Sequence, residues 1–333
     1  MTVLVTGAAG FIGSATCEAL VNAGYKVFGI DSISDYYSQD LKWLRVKNFL
    51  EPNNVNFELL DLSDHEKVNE LIDRIKPEAV VHLAAQAGVR TPSGKLTKYV
   101  DANLVGFSNI LEAVISREVP NFMYASSSSV YGNTSNIPYS EDEIGLQPTS
   151  FYGATKLANE IFSKSIINST KTRAIGMRFF TVYGPWGRPD MAYFRIFSDL
   201  LGGSKFELFG DGSIRRDFTY IDDITRGIIA IMQNSKKIAP GTNEIFNIGG
   251  GNPVSMNELI SAIELQTGSK LIKNITDSHT GDIGLTIANP AKLQSFTNFQ
   301  PSIPLAEGLE KFFLWANQDE IKGKLAPWAE SVP

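Results

Sequence analysis

Tyr152 and Lys156 stand four residues apart in TSFYGATKLANEIF, a spacing that puts both side chains on one face of a helix. A phenol is a poor base at its ordinary pKa of about 10. A nearby ammonium favours the ionised phenol, so such a pair makes a tunable base near neutral pH. Upstream, residues 124–132 read YASSSSVYG, where four consecutive serines close a short apolar run. Serine runs are commonly solvated low-complexity stretches. One that ends a strand can instead hydrogen-bond a hydroxyl facing the tyrosine. In isolation the Tyr–Lys pair is better read as an exposed pair on a surface helix, so its surroundings decide.

The decisive surroundings lie at the start of the chain. LVTGAAGFIGSATCEAL places Gly7, Gly10 and Gly13 at G-x-x-G-x-x-G spacing, with Phe11 and Ile12 inside it, between a strand pattern and a helix pattern. Glycines permit a tight turn and let the backbone approach a pyrophosphate, while the helix start supplies free N–H groups and a positive dipole end. Asp31 closes the next strand pattern, 21 residues after Gly10, where a carboxylate accepts from both ribose hydroxyls. Ser32, Ile33 and Ser34 beside it bring no cation to balance a 2′-phosphate. The expected cofactor is therefore NAD rather than NADP, and behind this fingerprint Tyr152 and Lys156 read as catalytic.

These residues need elements to hold them. TVLVT (2–6), KVFGI (26–30), VNFELL (55–60), AVVHLAA (79–85), NFMYASS (121–127) and RAIGMRFF (173–180) are β-type runs. Between them lie helical patterns at 12–23, at 64–75 behind an Asp cap, at 97–117 and at 152–168. Strand and helix in alternation read as a doubly wound parallel sheet of Rossmann type in the α/β class. Past Arg178, loops rich in Gly, Pro and aromatics separate shorter elements, including a capped helix over 255–268 that stops at Gly268. The expected division is a dinucleotide-binding part over 1–178, also receiving part of 215–250, and a smaller α/β substrate-binding part over 179–333. Whether 219–234 returns to the main sheet is open at this stage.

Composition narrows the class. The 333 residues are 43% hydrophobic and 20% charged, as in ordinary globular proteins. The net charge of −6 is spread without long blocks, which argues against a general nucleic-acid surface. The first residues lack a leader pattern, and no apolar run approaches the ~18 residues of a membrane span. The single cysteine, Cys17, reads as core packing in a reducing compartment. His65, His82 and His279 show no ligand spacing, so no metal is expected. The expected location is the cytoplasm.

TGAAGFIG, HLAAQAGVR, YASSSSVYG, YGATK, RFFTVYGPWGRPDMAYF and RRDFTYIDD together resemble the extended short-chain dehydrogenase/reductases, the NAD-dependent epimerase/dehydratase group. More narrowly, the chain is similar to the UDP-glucuronate 4-epimerases over about residues 2–290. The resemblance implies tightly held NAD, a nucleotide-sugar substrate and a catalytic trio of Ser127, Tyr152 and Lys156. It implies cofactor contacts at Asp61, Leu62, Leu83, Ala84, Ala85 and Asn103. It also implies substrate contacts at Arg90, Phe209 (stacking on uracil), Arg216 (clamping the diphosphate) and Asp282 (the uridine ribose), with Arg215 left to solvent. Relatives commonly pair as homodimers through two long helices, here 97–117 and 152–168.

The serine run then separates reactions within the family. Dehydratases carry Asp-Glu directly before Val-Tyr-Gly and decarboxylases carry Glu there; this chain has Ser128 and Ser129, which cannot act as acid or base near neutral pH. The expected reaction is C4 epimerisation of UDP-glucuronate to UDP-galacturonate, a step toward polysaccharide building blocks. A uronate carboxylate would take hydrogen bonds from Ser127, Ser128, Ser129 and Thr181 and a charged partner in Arg188. The alternatives are 4-epimerisation of UDP-glucose or UDP-N-acetylglucosamine, decarboxylation of UDP-glucuronate, and a non-enzymatic NAD-sensing role. Two departures stand out: TPSGKLTKY follows AGVR where relatives carry Tyr-Ser, and His279 replaces a residue that is commonly Gln in the uronate branch.

Overall fold

The apolar runs fold into parallel strands with helices between them, in a computed structural model that describes residues 1–89, 94–277 and 283–332. In the first half these are β1 (Thr2–Thr6), α1 (Phe11–Asn22), β2 (Lys26–Asp31), α2 (Gln39–Arg45), β3 (Asn56–Leu59), α3 (His65–Ile75) and β4 (Ala79–His82). Next come α4 (Leu96–Val100), α5 (Gly106–Ser116), β5 (Asn121–Ser127), α6 (Phe151–Ile167) and β6 (Arg173–Phe179). The second half holds β7 (Thr181–Tyr183), α7 (Ala192–Gly202), β8 (Lys205–Phe209), β9 (Arg215–Tyr220) and α8 (Ile221–Asn234). It continues with β10 (Asn243–Ile248), β11 (Pro253–Ser255), α9 (Met256–Thr267) and β12 (Ile272–Thr276), followed by three helices at 291–297, 305–316 and 325–330.

Seven strands form one parallel sheet in the order β10-β6-β5-β4-β1-β2-β3. The order reverses between β1 and β4, and such a reversal opens a crevice at the carboxyl edge where α/β proteins hold ligands. The register aligns that edge. Thr6 pairs with His82 and Ile30, Asp31 with Leu59, and Ser127 with Phe179. These strand ends of the main sheet therefore open on the same side.

Buried strands explain the apolar runs. β4 and β5 are buried at every position, as expected for strands covered by helices on both faces. One apolar cluster joins α1, α7, α8 and the helix at 305–316, and a second packs β1, β4 and β5 against α3 and α5. α8 lies against α1, and β10 extends the main sheet beside β6, so the chain does re-enter that sheet after leaving it. The smaller sheets, β11-β9-β7 and β12-β8, belong to the second half.

Two local expectations fare differently. α9 starts on a Ser255–Glu258 capping box and stops at a left-handed Gly268, following the start and stop rules. The helix expected over 97–117 is instead interrupted. Residues Asp101–Val105 widen into a π-helical turn between α4 and α5, and that turn carries the buried Asn103. Such widened turns recur where a side chain must be aimed.

Candidate active site

The cofactor end is built around an absence of side chains. Gly7 takes φ +71°, and a Cβ on it would stand 2.7 Å from the Ala84 nitrogen. A Cβ on Gly13 would stand 1.9 Å from the Gly7 carbonyl oxygen. Both positions therefore demand glycine if α1 is to start directly beneath the turn. The first-turn N–H groups of α1, at Phe11, Ile12 and Gly13, are the orphan donors that every helix start leaves. Asp31 is pinned beside them, Oδ2 accepting from Ala9 N at 3.1 Å and Oδ1 from Ile33 N at 2.8 Å. A bare turn, a helix start and a fixed carboxylate fit a dinucleotide's pyrophosphate and ribose.

The flanking residues expected near the cofactor fall into two groups. Leu83, Ala84 and Ala85 leave β4 half-buried beside the glycine turn, with Ala84 N donating to Thr6 Oγ1 at 3.2 Å. Asn103 accepts from Gln86 N at 2.8 Å and donates to Gln86 O and Thr155 Oγ1, each at 3.0 Å, so it locks the β4 exit to α6. Leu62 is buried beneath α5, while Asp61 is exposed and accepts from Ser63 N and Oγ.

The serine run is structural as well as chemical. Ser126 is buried and donates to Glu160 Oε1 at 2.5 Å; Glu160 in turn holds Arg178 through bonds of 2.9 and 2.8 Å. Arg178 donates to the Tyr131 hydroxyl, which donates to Asn247 Oδ1. Ser127, the last residue of β5, caps the short 3₁₀ turn Ser128–Tyr131 by accepting from Ser129 N at 3.1 Å. Ser128 and Ser129 are half-buried on that turn. A Cβ on Gly153 would stand 2.6 Å from the Ser129 carbonyl oxygen, so α6 begins directly against the serines.

α6 carries the reactive pair. Ser150 caps it, accepting from Gly153 N at 3.0 Å. Lys156 is buried on the sheet side, with Nζ donating to the Ala125 carbonyl at 2.9 Å and lying 5.9 Å from the Tyr152 ring centre. Burial lowers its pKa to about 7. The Tyr152 phenol is pushed up by burial, against which the Arg188 charge and a hydrogen bond with Ser127 pull down. Lys156, the ammonium that the sequence reading set beside the phenol, has its Nζ 5.9 Å from the Tyr152 ring centre. Lys156 Nζ is anchored on the strand beneath α6, and the Arg188 charge also acts on Tyr152.

On the opposite wall, Thr181 opens β7, half-buried, paired in register with Phe218. Arg188 Nε donates to Asp190 Oδ1 at 3.0 Å, and its Nη2 pairs with Oδ2. The Tyr36 phenol, raised by burial, also feels Asp190 and Arg188. Arg216, on β9, donates from Nη1 to Ile283 O at 2.6 Å and to Arg215 O at 3.0 Å. Phe209 ends β8, aligned with Thr276 of β12. Arg215 keeps the solvent exposure expected of it, its side chain 43% exposed, while donating to Pro253 O at 2.8 Å and pairing with Glu258 at 3.2 Å. Arg90, His279 and Asp282 lie outside the described residues.

Sequence reasoning missed Asp190, which pairs with Arg188 two residues away, and Tyr36, Arg45 and the Glu160–Arg178 pair, which depend on more distant contacts. Cys17 sits in the core, its thiol pushed up by burial and then by Asp31. His82 is buried against Thr6 Oγ1 at 2.8 Å and falls to about 3 through burial, so it stays neutral. Among the described residues no cluster of His, Cys, Asp and Glu could hold a metal ion, and no helix is long and apolar enough to cross a membrane.

Comparison with known proteins fits this geometry. UDP-glucuronate 4-epimerase 4 of Arabidopsis thaliana is 40% identical across 95% of this chain and 75% of its own length. A probable UDP-glucuronate 4-epimerase of Rhizobium meliloti is 35% identical across 96% of this chain and 98% of its own. The crystal structure of UDP-glucuronic acid 4-epimerase from Bacillus cereus, in complex with UDP-glucuronic acid and NAD, superposes with a TM-score of 0.88 at 36% identity, covering 95% of this chain and 98% of that one. Residues 3–249 match the pattern of the NAD dependent epimerase/dehydratase family. With a glycine turn, an Asp-ended second strand and a half-buried Tyr152 beside a buried Lys156, the chain belongs to the NAD-dependent epimerase/dehydratase family.

Proposed function

We propose that the protein interconverts UDP-glucuronate and UDP-galacturonate by inverting C4 of the sugar, using NAD that stays bound. Ser127, Tyr152 and Lys156 meeting where positions 128 and 129 carry no carboxylate is the observation that carries this reading. Residues 1–178, with α8 and β10, form the dinucleotide-binding part, and the remainder of 179–333 binds the nucleotide sugar.

NAD is held by Gly7, Gly10, Phe11, Ile12, Gly13 and Asp31, flanked by Asp61, Leu62, Leu83, Ala84, Ala85 and Asn103. Bound there, it supplies reversible two-electron oxidation at C4. Tyr152 takes the C4 hydroxyl proton, and Ser127 hydrogen-bonds the same oxygen. Lys156, anchored on Ala125 O, keeps Tyr152 and the serine turn in one frame. The 4-keto sugar then turns its other face, and Tyr152 returns the proton as C4 is reduced again. Arg216 and Phe209 grip the UDP portion, with Arg90 and Asp282 as further contacts.

A carboxylate beside a 4-keto group leaves as CO₂ when its C–C bond aligns with the carbonyl π system. Ser128, Ser129, Thr181 and Arg188 hold it out of alignment. The test is separate incubation with UDP-glucuronate, UDP-glucose and UDP-N-acetylglucosamine, without added NAD, followed by product separation. Turnover of the uronate is expected; turnover of the neutral sugars alone overturns the substrate assignment.

We also propose a homodimer through α5 and α6. Phe151, Ile161 and Ile166 on α6 and Val105 before α5 leave apolar side chains at 37–57% exposure, a surface that a second copy would cover. Light scattering of Ile161→Asp should show monomer; an unchanged dimer contradicts this interface.

A further inference from the structure

Arg45, the last residue of α2, is fully buried, and among the described residues it has no carboxylate partner. Its guanidinium is instead shared between two parts of the site. Nη1 donates to Ala9 O at 3.2 Å, inside the glycine turn, and to the Tyr37 hydroxyl at 2.6 Å. Nε donates to Trp186 O at 2.9 Å, and Nη2 to Gly187 O at 3.0 Å. Those two carbonyls belong to the residues immediately before Arg188.

The bridged turn needs holding. Trp186 takes φ +61°, a left-handed conformation unfavourable for a side-chain-bearing residue. Gly187 is packed so closely that a Cβ would stand 1.7 Å from the Tyr193 hydroxyl. A planar fork that donates to two successive carbonyls fixes this turn in a way a point charge cannot. A buried cation is tolerated when its donors are satisfied, and every contact of Arg45 serves one of the two turns or Tyr37.

We propose that Arg45 is the positioning residue that holds the Trp186–Gly187 turn, and through it the Arg188 guanidinium, in register with the dinucleotide turn. The inference rests on the reading of Arg188 as the partner of the uronate carboxylate. Arg45 touches neither substrate nor reacting atoms; its loss lets Arg188 drift while the Tyr152 end stays in place.

The test is a double-mutant cycle on UDP-sugar affinity, measured by calorimetry on NAD-loaded protein in a Tyr152→Phe background that blocks turnover. Arg188→Ala and Arg45→Met should each weaken UDP-glucuronate binding about tenfold or more. The double variant should be no weaker than Arg188→Ala alone, within about twofold. UDP-glucose binding should be unmoved by Arg45→Met, and Arg45→Lys should fail to restore uronate affinity. If Arg45→Met does not fold, Tyr37→Phe, which removes one bond to Nη1, replaces it in the cycle with a smaller loss of the same pattern. Multiplying losses, or equal losses for both sugars, overturn the proposal for Arg45 alone. Unchanged affinity in Arg188→Ala overturns the carboxylate reading and the proposal with it.

Discussion

Lys156 donates a 2.9 Å hydrogen bond to the main-chain carbonyl of Ala125, two residues before Ser127. The bond ties the catalytic helix to the strand that ends in the serine, and it buries an amine whose pKa falls from 10.5 to about 7. Between those values the unfolded chain binds the proton and the native chain does not, so wild-type stability rises with pH across that window. Lys156→Met removes the burial cost. It should melt above wild type near pH 7 and below, with the gap narrowing as pH rises toward 10.5. Turnover should fall by a factor of about 10²–10⁴. Melting scans across pH check this; a gap that stays constant or widens with pH contradicts the buried-amine account.

Tyr152→Phe should separate binding from chemistry. The ring remains to fill its place, while the group that moves the C4 proton is gone. Turnover should drop by a factor of about 10²–10⁴, with affinity for UDP-glucuronate and retention of NAD kept within about threefold. Rate assays paired with calorimetry decide. Full activity would remove Tyr152 from the reaction and reopen the choice of base.

Ser128 and Ser129 face a product question rather than a rate question. Both are half-buried on the turn that Ser127 caps. If they restrain the carboxylate beside the keto group, the Ser128→Ala, Ser129→Ala double variant should release more UDP-pentose relative to UDP-galacturonate. Chromatography of the products reads the ratio directly. An unchanged ratio sinks the restraint argument and leaves epimerisation itself untouched.

Beneath the site, Glu160 and Arg178 form an ion pair with side chains 8% and 4% exposed, joined by Ser126 and Tyr131. Glu160→Gln strands a buried guanidinium, which costs about 3–5 kcal/mol. Denaturant unfolding should show that loss, and Arg178→Met added to Glu160→Gln should recover part of it. Additive destabilisation would mean the two residues do not act as a pair.

Local rules carried much of the fold from the sequence. The β-type runs at 2–6, 121–127 and 173–180, the Asp64 cap and the Gly268 stop all follow from neighbours within a few residues, and each is found. The glycine turn, Asp31, and the Tyr152–Lys156 pair were legible for the same reason. Arg45 and Tyr36 were not, because their meaning arises only when segments over a hundred residues apart pack together. The π-helical turn at Asn103 was hidden because periodicity over 97–117 suits an unbroken helix equally well. Burial of the Tyr152 phenol was invisible in a four-residue spacing, because it depends on what packs over the helix.

The central claim is that hydrogen leaves C4 and returns to the same carbon. UDP-glucuronate carrying deuterium at C4, incubated with the purified protein in ordinary water and without added NAD, tests this directly. The account predicts UDP-galacturonate that keeps the deuterium at C4. Loss of the label to solvent, a requirement for stoichiometric NAD, or UDP-pentose as the main product would contradict it.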